Sequence, residues 1–205
     1  MTNNPQDRAA TDRIVWIDCE MTGLDIVNDV LVEVACVVTD AQLNEIGPGF
    51  EVVIHAPQDK LDAMDPIVVN MHTDSGLLPL IPNGVSLSHA EESLFDYISS
   101  HAPDAGKSPL GGSSVHMDRI FITRDMPKVA SFLHYRIVDV SSIKEIVRRW
   151  YPRVYFASPA KTGNHRALGD IRDSIAELKY YRQTVFVTDP GPTTEEARQA
   201  ATHIQ

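Results

Sequence analysis

Asp18 and Glu20 close the apolar run that begins at Arg13 and stand two residues apart. Side chains alternate faces along a β-strand, so acids at i and i+2 point the same way. Two like charges buried on one face are costly, or lift a pKa, unless a positive charge lies between them. A divalent cation held by oxygen ligands is the simplest such partner. The Thr22-Gly23 step then turns the chain and leaves the acids beside a loop. Two readings fit these residues alike: a metal-dependent active site, or an exposed strand end carrying two solvated acids.

Further residues could join such a site. Asp118 lies near a predicted helix start and Asp170 in the first turn of the last predicted helix, positions where an acid also serves as a partner of the helix dipole. His165 precedes that last helix in a polar loop beginning at Lys161. A five-residue offset does not stack His165 and Asp170 on one helical face, so they share a site only if His165 lies off the helix. There its ordinary pKa of about 6.5 suits a general base, although a loop histidine is more often solvated and idle. His72 is by default a polar surface residue.

Such residues need a frame. The 205 residues, 43% of them hydrophobic, suit one domain with a sizeable core. Residues 1–12 and 189–205 read as flexible tails around a domain at 13–188, with a short helix possible from Thr194 to Ala201. Apolar runs predict strands at Arg13–Cys19, Val30–Thr39 and Phe50–His55, with Gly47-Pro48-Gly49 as a breaker, and short links that suit an antiparallel meander. Ser88 with Glu91 reads as a capping box opening a helix to about Ser100. A fourth strand precedes Gly111-Gly112. A helix over Met117–Arg124 and a fifth strand over Tyr135–Val140 follow. Ser141 is a plausible N-cap for a helix over Ile143–Trp150, and the last helix runs from about Ala167 to Gln183. Strands first, then alternating helices and strands, make the chain α/β, with a mixed sheet flanked by helices.

Composition narrows the function classes. No apolar stretch is long enough to span a membrane, and the polar segment Met1–Arg8 lacks an apolar signal core, so a cytoplasmic location is expected. Cys19 and Cys36 sit inside strand-like runs and are expected to be buried, reduced thiols. The formal net charge is −10. A protein gripping long nucleic acid through many phosphates is usually basic. This chain therefore either binds no nucleic acid or binds a short piece locally with metal ions supplying positive charge; composition alone favours the first.

Taken in order, Asp18-x-Glu20, the Gly112-Ser-Ser-x-x-x-Asp118 segment and His165-x-Ala-x-x-Asp170 resemble the Asp-Glu-Asp-Asp-His class of 3′→5′ exonucleases. Within it the chain is similar to the oligoribonucleases, through the Trp16-to-Leu24 stretch, His134-Tyr135-Arg136, Asp139-Val140-Ser141, Lys144-Glu145, Arg148-Arg149-Trp150, Glu177-Leu178 and Tyr180-Tyr181-Arg182. The resemblance covers roughly residues 13–188. It implies an RNase H-like fold with a mixed five-stranded sheet, antiparallel meander plus parallel strands, flanked by helices. It implies a homodimer that hydrolyses very short RNAs (nanoRNA), dinucleotides above all, to nucleoside 5′-monophosphates. By the same resemblance Asp18, Glu20, Asp118 and Asp170 carry two divalent ions, Mg²⁺ or Mn²⁺, and His165 is the general base. Two such ions can clamp the attacking and leaving oxygens of an in-line displacement. Ser114, Arg136 and Ser141 would contact the 5′ phosphate, Tyr135 and His72 would reach across the dimer, and Leu24 would wedge against the bases. The acidic net charge suits this reading, because a dinucleotide offers few phosphates.

Two positions depart from the family pattern: Ser113 where members often have Asn, and Ile67 where many bacterial members carry a tryptophan that stacks on a base. Other functions stay in view. A broader 3′→5′ exonuclease acting on longer RNA or DNA ends would use the same acids, although the His134-Tyr135-Arg136 block favours short substrates. A catalytically idle module that binds short RNA would not need four acids and a histidine.

Overall fold

The computed structural model describes residues 12–161, 166–202 and 204. Three strands form a meander: β1 (Arg13–Met21), β2 (Leu31–Asp40) and β3 (Glu45–Val53). Two more, β4 (Pro109–Gly112) and β5 (His134–Asp139), run parallel to β1, and the sheet order is β3-β2-β1-β4-β5. β2 pairs antiparallel with both β1 and β3. This is the mixed five-stranded sheet that the resemblance implied. β2 is an almost unbroken apolar run because helices cover both of its faces, so alternation has no solvent side to mark.

The helices are α1 (Gln58–Asp62), α2 (Pro66–Asp74), α3 (Leu87–His101), α4 (His116–Asp125), α5 (Pro127–Phe132), α6 (Val140–Trp150), α7 (Pro152–Phe156), α8 (Ala167–Thr184) and α9 (Thr194–Thr202). Strand alternation divides the core. Val15, Ile17 and Cys19 of β1 pack with Leu94 and Ile98 of α3 and Phe121 of α4 on one face. Trp16, Ala35 and Val37 pack with Ile171, Ile175 and Tyr181 of α8 on the other. The even-numbered side of β1, which carries Asp18 and Glu20, therefore lies under α8. Trp16 satisfies its one polar atom inside the core by donating Nε1–H to Thr39 Oγ1 at 2.9 Å. Glu177 of α8, buried, accepts both the Tyr181 hydroxyl at 2.7 Å and the Lys144 ammonium of α6 at 3.0 Å, tying α6 to α8. Both cysteines are buried and free. Among the described residues no helix is long and apolar enough to cross a membrane.

Several expected boundaries move. β3 begins at Glu45, not Phe50, and runs through the Gly47-Pro48-Gly49 breaker. Both glycines adopt φ +85°, and the β2–β3 register shifts between Cys36 and Val38. An edge strand tolerates proline, and a bulge uses the left-handed conformation that glycine supplies. The chain reverses instead at Asp40, whose Oδ1 accepts the amides of Gln42 (2.8 Å) and Asn44 (2.9 Å). The N-cap of α3 is Ser86, accepting from the His89 amide at 3.3 Å, and not Ser88. Glu91, expected to complete the box, accepts the Lys128 amide at the start of α5 at 2.6 Å. α1, α2, α5 and α7 have no counterpart in the sequence reading.

The parallel contact between β1 and β4 is close. A Cβ added at Gly111 would lie 2.8 Å from Ile14 Cγ2 and 2.9 Å from Trp16 Cδ2. Gly111→Ala is expected to destabilise the fold by about 1–3 kcal/mol through overpacking, read as a lower urea midpoint with an unchanged m-value. A wild-type midpoint would show that the β1–β4 spacing is loose.

Candidate active site

β1 delivers Asp18 and Glu20 to the same side, as alternation requires, and α8 lowers Asp170 onto them. One carboxylate oxygen from each of Asp18, Glu20 and Asp170 lies within 4.8 Å of the others. Asp118 comes from the opposite face of the sheet. It sits buried in the first turn of α4, and its Oδ1 accepts the Cys19 amide between the two β1 acids at 2.9 Å. The four acids predicted from the sequence thus meet at the carboxyl end of β1. His165 lies outside the described residues.

The electrostatics are those of crowded anions. Burial pushes the Asp18 carboxyl well above its usual range, with the charges of Asp118, Glu20 and Asp170 adding to the effect and Lys161 opposing it. Glu20 is pushed up to about 8 by burial and then by Glu33, Asp170 and Asp118, against the pull of Arg166. Burial raises Asp118 to about 7, although the Cys19 amide favours its charged form. An all-oxygen donor set of this kind, holding protons it would shed for a cation, suits a hard divalent ion such as Mg²⁺ or Mn²⁺.

The expected substrate contacts divide into those near this cluster and those away from it. Ser114 and Ser141 come together, the Ser114 hydroxyl donating to Ser141 Oγ at 3.1 Å. Asp139 makes the pairing: its Oδ1 accepts the amides of Ser114 (3.0 Å) and Ser141 (2.9 Å). Asp139, and not Ser141, is therefore the N-cap of α6. Ser114 itself is held at φ +55°. Next to it, Ser113 shares a hydrogen bond of 2.8 Å with Ser174, which donates to the Asp170 carbonyl at 2.9 Å, so this departure from the family pattern links β4 to α8.

Leu24 is 65% exposed on the β1–β2 loop. Asp29 holds that loop, accepting the Thr22 hydroxyl and the Asp25 amide, each at 2.8 Å. A Cβ at Gly23 would lie 2.4 Å from Asp29 Oδ2, so a larger residue there would displace the carboxylate that holds the loop. Arg124, in the last turn of α4, donates to the carbonyls of Ile26 and Asp29. Ile67 stands exposed on α2. Tyr135 is 74% exposed on β5, with His134 stacked on its ring. Arg136 does not join Ser114 and Ser141. Its Nε donates to the Tyr135 hydroxyl at 3.1 Å, and it lines a hollow of about 480 Å³ with Arg13, Lys107 and His134.

His72 corrects the expectation of a surface residue. It is fully buried, donates Nε2–H to the Met21 carbonyl (2.9 Å), and turns Nδ1 toward Glu20 Oε2 at 3.8 Å. It belongs to the surroundings of Glu20. Glu33 and Arg166 were not anticipated at all. The signal was present, since Glu33 interrupts the apolar run Leu31–Val38, and a charge in a doubly covered strand demands a partner.

The chain matches the family model described as Exonuclease over residues 15–178. It is 55% identical to an oligoribonuclease from Streptomyces griseus over 193 residues, covering 94% of this chain and 96% of that one. It is 56% identical to an oligoribonuclease from a Mycobacterium species over 194 residues, covering 94% and 90% respectively. Among solved structures, the zinc-bound complex of Escherichia coli exonuclease I with single-stranded DNA superposes with a TM-score of 0.67 at 15% identity. That match covers 85% of this chain and 41% of the other, so the chain spans about two fifths of exonuclease I. The complex of the same exonuclease with a dT13 oligonucleotide gives a TM-score of 0.66 at 15% identity, covering 94% of this chain and 43% of the other. The fold is RNase H-like.

The raised carboxyl pKa values set the direction of a pH effect. In the metal-free protein the folded state keeps protons that the unfolded chain has released. Stability therefore falls as pH rises from the ordinary carboxylate range through the folded values of about 7 for Asp118 and about 8 for Glu20. In chelator, the thermal midpoint is expected to be lower at pH about 8.5 than at about 5.5, by roughly 2–4 °C for each kcal/mol of repulsion. Glu20→Gln should flatten the slope and Mn²⁺ should oppose it. A slope unchanged in Glu20→Gln would remove Glu20 as its source.

Proposed function

Because the chain belongs to the exonuclease family, and within it to the oligoribonucleases, we propose that it hydrolyses very short RNAs from the 3′ end, dinucleotides above all, to nucleoside 5′-monophosphates. It is a nuclease, a 3′→5′ exoribonuclease. The observation that carries the finer reading is the convergence of Asp18, Glu20 and Asp170 within 4.8 Å at the strand end where Asp118 is also anchored. These four acids would hold two divalent cations, Mg²⁺ or Mn²⁺. Cations there would supply a nucleophile at neutral pH and offset the charge that develops on the departing 3′ oxygen.

The chain's own residues supply the rest. His165, outside the described residues, is the base that takes the proton from the attacking water. The Ser114–Ser141 pair, set by Asp139, presents hydroxyl donors to a 5′ phosphate. Leu24, exposed on a braced loop, packs against the bases. Arg136 reaches the phosphate by leaving Tyr135, a guanidinium being suited to bidentate contact.

A homodimer completes the site, with Tyr135 of one protomer serving the other. Two observations support this. Tyr135 projects from the edge strand β5, and Trp150 and Phe186 are exposed around an apolar hollow that also includes Ile146 and Tyr151. Monomers seldom leave so much aromatic surface uncovered. A cytoplasmic location accords with this reading.

A broader exonuclease is the second reading, favoured by the exposed Ile67 where a stacking ring would add about 1–3 kcal/mol per base. A length series separates the two. With 5′-phosphorylated RNAs of two to seven nucleotides in Mg²⁺ or Mn²⁺, mononucleotide release is expected to be fastest on the dinucleotide and absent with chelator. Equal or faster cleavage of longer chains would establish the broader enzyme. Metal-dependent binding with no cleavage at any length would establish a binding module. Asp18→Ala should reduce turnover to background with the fold intact, and retained activity would end the role of that acid. Tyr135→Ala should lower kcat/KM on dinucleotides about 10-fold or more; unchanged kinetics would remove the contact across the dimer.

A further inference from the structure

Glu33 is a buried carboxylate in this region that the reaction does not use directly. It lies in β2, fully excluded from solvent, with its Cα directly across from Glu20. Placing a further anion beside four others works against the site, and its charge pushes the Glu20 carboxyl upward. Its contacts explain the position. Oε1 accepts Arg166 Nη2 at 2.6 Å and Nε at 3.0 Å, while Oε2 accepts the Ala167 amide at 3.1 Å.

Helix α8 begins at Ala167, and its N-cap is Arg166, which has no acceptor to offer the free amides of the first turn. Serine, threonine, aspartate or asparagine normally fills that position. Here the cap comes from another strand, and it grips the side chain of the cap residue as well as the first amide of the helix. A carboxylate also suits the positive end of the helix. The grip passes to the site through the backbone: the amides of Gly169 (2.9 Å) and Asp170 (3.1 Å) both donate to the Arg166 carbonyl. A capping residue of its own would have closed α8 without burying any charge. Anchoring it to the central sheet, opposite Glu20, fixes where Asp170 stands relative to the β1 acids.

We propose that Glu33 is a positioning residue of the active site: through Arg166 and Ala167 it holds Asp170 in register with Asp18 and Glu20. This rests on the reading of the acids as a cation site. Arg166 has a second, weaker partner, Glu51 at 3.4 Å, partly exposed on the edge strand. Glu51 provides a control that touches the same arginine without capping the helix.

The test compares wild type, Glu33→Gln, Arg166→Gln and Glu51→Gln, titrating each with Mn²⁺ and reading the free-ion EPR signal, alongside kcat and KM on a dinucleotide. Asp18→Asn marks the signal expected without the cation site. Glu33→Gln and Arg166→Gln should each lose about 10- to 100-fold in Mn²⁺ affinity or in kcat. KM should stay within about twofold, because base and phosphate contacts are untouched. Glu51→Gln should match wild type. Folded Glu33→Gln with wild-type Mn²⁺ affinity and kcat would overturn the proposal, while Mn²⁺ binding lost in Asp18→Asn alone would leave the cation reading standing. Wild-type protein binding no Mn²⁺ would overturn both. If Glu33→Gln does not fold, Arg166→Gln decides: a folded variant with full kcat overturns the proposal, and reduced kcat at constant KM supports it.

Discussion

Carboxylates repel one another, and this fold forces three of them within 4.8 Å and a fourth onto the amide between two of them. Much of the architecture answers that repulsion. β1 supplies two acids by alternation alone, at no cost in backbone conformation. The other two come from helices on opposite faces of the sheet, each by its first turn, where the helix end itself favours an anion. Lys161, Arg166 and the Cys19 amide offset part of the charge. The remainder is held as protons, available for exchange with a cation. A strand end that is unstable as four bare anions is thus well suited to take up positive charge.

The same repulsion makes the acidic character of the chain intelligible. With a net charge of −10 the surface does not attract a long polyanion. Under the proposed function, discrimination between a dinucleotide and a longer strand would then depend on local contacts at the ends of the substrate. The Ser114–Ser141 pair would be such a contact under the proposed function, and it is built with economy, one oxygen of Asp139 ordering two backbone turns that come from different strands.

What could be read from the sequence follows from how local each signal is. The acids of β1 were legible because period two is a property of the strand itself, and Asp170 because the apolar stripe of Ile171, Ile175, Leu178 and Tyr181 announces its helix. His72 was hidden because α2 inverts the usual pattern: its apolar Ile67 faces solvent and its histidine is the residue enclosed. β3 was cut short by Gly47 and Gly49, which break a central strand but shape a bulged edge. Ser88 and Ser141 have the right chemistry for caps, yet Ser86 and Asp139 occupy the turns, a choice of one or two residues made by tertiary packing. Glu33 and Arg166 are 133 residues apart in sequence, and neither carries a mark that names the other.

α4 joins two parts of the molecule that are easily considered separately. Its first turn carries Asp118 to the acids, and its last turn places Arg124 on the carbonyls of Ile26 and Asp29 in the loop that bears Leu24. A ten-residue helix is effectively a rigid rod over thermal displacements of this size. The loop and the reactive centre are therefore fastened to opposite ends of one strut, and thermal motion that shifts one carries the other along. The gap between Asp118 and that loop is spanned by one helix and its hydrogen bonds. A measure of substrate length built on that gap would keep its calibration as the rest of the protein fluctuates.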